Sequence, residues 1–115
     1  MQDVLKAQLQ INGKTVAVKL SGEIDHHSVQ TVRQRIDDAI LGREPDNLLI
    51  DFGGVSFMDS SGIGLVMGRY KLIENTDCKL FVTGLSARAY TVMKLSGLEK
   101  IAVLKRRNEK DENAQ

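Results

Sequence analysis

Two serines stand where an extended apolar segment gives way to a glycine-bearing amphipathic one, in the run Asp59-Ser60-Ser61-Gly62. A hydroxyl at the start of a helix sits among free backbone N–H donors and at the positive end of the helix dipole. Those surroundings suit an oxyanion or a phosphate. By residue type Ser60 and Ser61 could be nucleophiles, phosphate acceptors or helix caps, and capping is the commonest use of serine at such a place. A serine hydrolase would need more than the chain offers. It has no Gly-x-Ser-x-Gly elbow and no evident oxyanion loop, and its only histidines are His26 and His27. A phosphoacceptor needs no base of its own, because the kinase brings one. It needs exposure and a partner that responds to the charge.

Asp25-His26-His27 invites a metal or phosphoesterase reading, yet adjacent side chains rarely converge on one ion and no distant cysteine or histidine completes a tetrahedral set. A loop leading into a helix, with Asp25 or Ser28 as cap, is favoured, and its expected closeness to Ser60 makes it a candidate partner-facing loop. Gly62, Gly64 and Gly68 spell G-x-G-x-x-x-G, near the dinucleotide fingerprint without matching it. The next strand ends at Thr83 and not at an acid that could hold a ribose. Gly64 and Gly68 then read as small residues that let a helix approach the sheet or a partner closely. Leu65 and Leu72 fall off the expected buried stripe with Arg69 between them, which makes that face a candidate docking surface.

The elements that must position these residues follow from periodicity. Val4 to Gln10 and Thr15 to Leu20 read as two antiparallel strands about an Asn12-Gly13 turn. Ser28 to Leu41 carries Val29, Val32, Ile36, Ala39 and Ile40 at helical spacing, with Gly42 and Pro45 as the stop. Leu48, Leu49 and Ile50 run without alternation inside Asn47 to Phe52, the pattern of a central strand covered on both faces. Ile63, Val66, Met67, Tyr70 and Ile73 mark the buried stripe of a helix from about Ser61 to Glu74. Lys79 to Thr83 is a strand, Ser86 caps a helix reaching Leu95 before Gly97, and Ile101 to Leu104 is a short last strand.

The order β-β-α-β-α-β-α-β predicts an α/β fold: a mostly parallel sheet of about five strands with an initial antiparallel hairpin. Loops at the carboxyl ends of parallel strands gather on one edge, bringing 23–27, 55–60 and 84–86 together. Residues 1–104 form the single expected domain. The charged tail 105–115, with Ala114 as its one apolar residue, is expected to be disordered.

Composition narrows the function classes. A 115-residue chain with 42% hydrophobic residues supports one core, and a net charge of +1 with 4% aromatics gives no footprint for nucleic acid. The single Cys78 excludes an internal disulfide, Met1-Gln2-Asp3 opens without a secretion signal, and no apolar run nears the roughly 20 residues of a membrane span. The expectation is a soluble cytoplasmic protein with no cofactor, no metal, no nucleic acid and no membrane.

Leu20-Ser21-Gly22-Glu23-Ile24-Asp25-His26-His27, Ser56-Phe57-Met58-Asp59-Ser60-Ser61-Gly62-Ile63-Gly64, Gly68-Arg69-Tyr70-Lys71 and Leu95-Ser96-Gly97-Leu98 resemble the STAS domains of bacterial anti-sigma factor antagonists, most of all those of the sporulation branch. The resemblance runs from about Val4 to Leu104 and implies the STAS fold, with three to four helices. Sporulation members continue into an amphipathic C-terminal helix, for which 105–115 lacks an apolar stripe. The resemblance further implies that Ser60, directly after an aspartate, is the phosphoacceptor. The kinase is the ATP- or ADP-bound anti-sigma factor itself, and a metal-dependent serine phosphatase reverses the modification. This chain is then a substrate and not an enzyme: unphosphorylated, it binds the anti-sigma factor and frees the sigma factor. The expected partner surface comprises Asp25, His26, His27, Asp59, Ser61, Gly62, Leu65 and Arg69. An antagonist of a general stress cascade is the alternative, ahead of a nucleotide-binding module or a serine hydrolase.

Overall fold

The computed structural model describes residues 4–107. Its elements run β1 (Lys6–Asn12), β2 (Thr15–Ile24), α1 (Val29–Arg43), β3 (Asn47–Met58), α2 (Ser61–Ile73), β4 (Lys79–Leu85), α3 (Ala87–Leu95), a 3-10 turn (Leu98–Lys100) and β5 (Val103–Arg106). The five strands form one sheet in the order β1-β2-β3-β4-β5, with β1 antiparallel to β2 and every other neighbour parallel. Strand order therefore equals chain order. Since parallel crossovers are right-handed, three crossovers stepping in one direction put α1, α2 and α3 on the same face.

Burial agrees with that arrangement and corrects the expectation of a central strand covered on both sides. β3 alternates between half-buried and buried from Asn47 to Phe52. The paired rows Val16, Leu48, Leu80 and Val18, Ile50, Val82, Leu104 face the helices, and most of these side chains are fully buried. The row between them, Ala17, Leu49, Phe81 and Val103, faces the other way and is half-buried to exposed. Leu48, Leu49 and Ile50 read as a continuous apolar run because this second face also carries an apolar row. Among the described residues no helix covers it.

Several boundaries differ from the periodicity reading. β2 and β3 continue to Ile24 and Met58, so the segments 21–24 and 55–58, expected as loops, belong to the paired strands. Two register shifts, between Lys19 and Ser21 and between Gly22 and Glu23, give β3 the additional residues, and Gly53-Gly54 supplies flexible backbone where the first one falls. The hairpin closes with Asn12 paired to Thr15, which makes Gly13 and Lys14 the turn residues, Gly13 with φ 60°. α1 passes through Gly42 and stops at Glu44, whose left-handed backbone (φ 45°) lets its N–H reach the Ile40 carbonyl just before Pro45. Ser86 caps α3 as expected, its Oγ accepting from the Ala89 N–H at 3.1 Å. Two glycines are required by close approach. At Gly22 (φ 102°) a side chain would collide with the Val4 carbonyl, and at Gly84 (φ 69°) with the backbone of Gly53.

β5 lies two residues later than expected and runs to Arg106, so 105 and 106 are paired strand and not tail. The expected tail beyond Arg107, and with it the question of a fourth helix, lies outside the described residues. Among the described residues there are three α-helices.

Candidate functional site

The parallel strands bring their carboxyl ends to one edge, where the Asp59 N–H bonds the Ile24 carbonyl at 3.1 Å and pins the end of β3 to the end of β2. From there α2 begins at once. Asp59 provides the cap: its Oδ1 accepts from the Ser61 N–H at 2.8 Å, and its carbonyl accepts from the Gly62 N–H at 3.1 Å. Ser60 occupies the N-cap position, but its backbone is already helical (φ −63°, ψ −12°) and its side chain makes no cap bond. The expected capping role of Ser60 and Ser61 is thus corrected. A capping hydroxyl normally hangs from an extended residue, and here the preceding carboxylate has taken over the task. Ser60 is exposed and its hydroxyl has no hydrogen bond, whereas Ser61 is half-buried. Gly62 is buried against Met58, whose sulfur occupies the space a Cβ would need.

The start of α1 is built differently. Asp25 Oδ1 accepts from the Ser28 N–H at 2.7 Å and the His27 N–H at 3.0 Å, while Ser28 Oγ accepts from the Asp25 N–H at 2.9 Å. This is a reciprocal capping box with aspartate and serine in the two roles. The Ser28 amide bond, opposed by partial desolvation and helped by the His27 bond, holds the Asp25 carboxyl below its usual pKa. His26 and His27 are exposed, 6.3 Å apart edge to face, and neither hydrogen-bonds either serine. Among the described residues no group of three or more His, Cys, Asp or Glu could hold a metal ion, and no helix is long and apolar enough to cross a membrane.

Beside Ser60 lies a groove of about 420 Å³, bounded on one side by Val55 to Met58 of β3 with Asp59 and on the other by the first turns of α3. Phe57, 54% exposed, Met58, Ala89 and Val92 give it an apolar floor; Arg88 and Arg107 give it positive charge. Arg107 also builds the groove. Its Nε donates to the Gly84 carbonyl at 2.9 Å and one Nη to the carbonyls of Val55 (2.8 Å) and Phe52 (3.4 Å), lacing the end of β3 to the end of β4. The segments 55–60 and 84–86 do meet, as the parallel-strand argument requires. Sequence reasoning missed Phe57, Arg88, Val92 and Arg107 as groove residues. Arg88 carried a signal, two residues beyond the Ser86 cap, but Arg107 lay in a segment read as tail.

Two expected surface residues are not on the surface. Leu65 is 2% exposed and Arg69 is 5% exposed, so neither can meet a partner. Arg69 reaches Asp37 of α1, Nε to Oδ1 at 2.7 Å, an ion contact too poorly angled to count as a hydrogen bond. Its Nη1 donates to the Leu65 carbonyl at 3.2 Å. Burial pushes the Arg69 pKa down and the Asp37 charge opposes that fall, and an arginine stays protonated at physiological pH either way. The buried stripe is accordingly Gly62, Leu65, Val66, Arg69 and Ile73, with Met67 exposed. The helix is turned from the expected orientation because α1 as well as the sheet covers it. Gly64 and Gly68 have nothing within 4 Å of a would-be Cβ, so they do not serve close packing against the sheet.

Comparison with known proteins sets this geometry among relatives. Residues 6–111 match the STAS domain family. The chain is 35% identical over 97 residues to an anti-sigma F factor antagonist of Paenibacillus polymyxa, covering 84% of this chain and 83% of the relative. The structure of the anti-sigma factor antagonist SpoIIAA in its unphosphorylated form superposes with a TM-score of 0.74 at 32% identity, covering 95% of this chain and 96% of the other. The Bacillus cell fate determinant SpoIIAA in the phosphorylated form gives 0.70 at 32% identity, covering 96% and 100%.

Proposed function

The chain belongs to the STAS domain family, and on that premise we propose that it is an anti-sigma factor antagonist, a binding protein switched by phosphorylation of Ser60. The observation that carries the reading is the exposed, unbonded hydroxyl of Ser60, held at the start of α2 while Asp59 does the capping. Unphosphorylated, the chain presents Ser60, the Asp25-His26-His27 turn with its exposed histidines, and the Phe57-Val92 groove as one contact surface for a nucleotide-bound anti-sigma factor, which then releases its sigma factor. The anti-sigma factor is also the kinase. The Ser60 Oγ forms a bond to the γ-phosphorus of ATP as the bond to ADP breaks, and the hydroxyl proton passes to a base of the kinase.

A phosphate adds roughly −1.5 to −2 charge beside Asp59, and a dianion at a closely packed interface is costly to desolvate. The helix start tolerates that charge, so the switch acts through the surface and not by melting α2. A metal-dependent serine phosphatase restores the binding form. This supports a cytoplasmic regulatory role in sporulation, in keeping with the sigma-F relative. Incubation with a cognate anti-sigma kinase and ATP, followed by mass spectrometry, is expected to place phosphate on Ser60. Modification only elsewhere, or normal modification of the Ser60→Ala protein, overturns the reading.

A further inference from the structure

We infer that a phosphate on Ser60 is held by the chain's own arginines, Arg88 and Arg107, across the groove that all three residues line. The inference rests on the reading of Ser60 as the modified residue and names what that modification engages. Arg88 is exposed and has no hydrogen bond or ion pair among the described residues. Arg107 commits Nε and one Nη to three carbonyls and leaves its other Nη unbonded, so its guanidinium is fixed in place with a donor to spare.

The charge balance around Ser60 favours an anion. Among the described residues Asp59 is the only acid lining the groove, and its Oδ1 is engaged by the Ser61 N–H. Asp25, at the end of β2, has its Oδ1 engaged by two amides; Glu23 is half-buried beside it, and His26 and His27 are exposed on the same turn. Among the described residues two arginines and one carboxylate thus line the groove, and guanidinium matches phosphate oxygens in fork geometry. Engaged by them, the phosphate turns into the groove and covers the apolar floor between Phe57 and Val92. The phosphorylated form is then a filled groove as well as a charged surface.

The test uses the full chain with phosphoserine placed at position 60 by genetic-code expansion, so that it proceeds whether or not a kinase selects Ser60. The second ionisation of the phosphate is followed by 31P NMR against pH. It is expected below the ordinary value of about 6, and Arg88→Ala is expected to raise it by about half a unit, the direction that loss of a nearby positive charge dictates. Arg107→Gln is expected to raise it as well, and 1 M salt to weaken the Arg88 effect. Arg88→Ala removes no described contact, so it keeps the test sound even if Arg107→Gln unfolds the groove. A second pKa near 6 in the parent, or a depressed value that Arg88→Ala leaves unchanged, overturns the inference: in the latter case the start of α2 alone accounts for the shift.

Discussion

Two helices of this protein start from the same chemistry, an aspartate at the end of a strand followed by serine, and use it in opposite ways. At α1 the serine comes three residues after Asp25 and its hydroxyl is fully engaged, accepting from the Asp25 N–H and lying 3.1 Å from the Glu23 carbonyl. At α2 the serine comes directly after Asp59, too close to fold back, and its hydroxyl is left free. Spacing alone thus separates a structural serine from one available to a partner. A hydroxyl inside a capping box has to give up its bonds before it can react, whereas Ser60 gives up none.

Substitution at each serine should break the comparison most sharply. Ser60→Ala is expected to abolish phosphate incorporation while changing unfolding free energy by less than about 0.5 kcal/mol, as for an exposed residue without partners. Ser28→Ala is expected to leave incorporation intact and to cost about 1 kcal/mol, the usual value of a lost cap. Urea denaturation with intact-mass measurement reads both, and a reversal of the two phenotypes would dismiss the contrast.

α1 and α2 are joined mid-length by the Arg69–Asp37 contact, so removing it tests how much that link contributes. Asp37→Ala should cost about 2 to 3 kcal/mol, because a buried guanidinium loses its counter-charge, while the partial exposure of Asp37 lets solvent offset some of that loss. A loss under about 0.5 kcal/mol in urea would mean that solvent reaches Arg69 and the contact holds nothing.

pH should probe the α1 start more gently. The amide bonds from Ser28 and His27 hold the Asp25 carboxyl below the 3.8 usual for an aspartate. Its contribution is therefore complete above that value and lost as pH falls through the lower, folded pKa. The protection factor of the Ser28 amide, its exchange rate relative to the intrinsic rate at each pH, is expected to fall across that acid range, and in Asp25→Asn, which still caps but does not titrate, to stay flat. Equal acid sensitivity in the two proteins would remove the carboxylate from the account.

The smallest effect belongs to Gly64 and Gly68, which continue down α2 from Ser60. Gly64→Ala has open space to fill and should stabilise by roughly 0.5 to 1 kcal/mol. If a partner packs its backbone on this stripe, the same change weakens its binding in titration calorimetry. An undiminished affinity would confine the contact to the groove side of Ser60.

Much of this was legible in the residues. Alternation in Thr15 to Leu20, the stops around Gly42 and Gly97, and the Ser86 cap give the element order, and parallel connectivity gives the shared edge. What escaped reading depends on contacts distant in sequence. Arg69 looks like a surface residue until Asp37, 32 positions away, is seen opposite it. Arg107 looks like the start of a charged tail until its guanidinium is found on carbonyls 23 to 55 positions back. The continuation of β2 and β3 was hidden by Gly22, Gly53 and Gly54, residues that usually mark turns but here permit shifts of register.

A sheet whose spatial order repeats its chain order can be assembled in the order of synthesis, each new strand joining an edge that already exists. The hairpin comes first and β5 last. Since Arg107, just beyond β5, laces the ends of β3 and β4 together, the groove beside Ser60 is the final thing to be completed. A chain that stops short of Arg107 lacks the three side-chain bonds that lace β3 to β4, and so carries Ser60 without the groove's full setting.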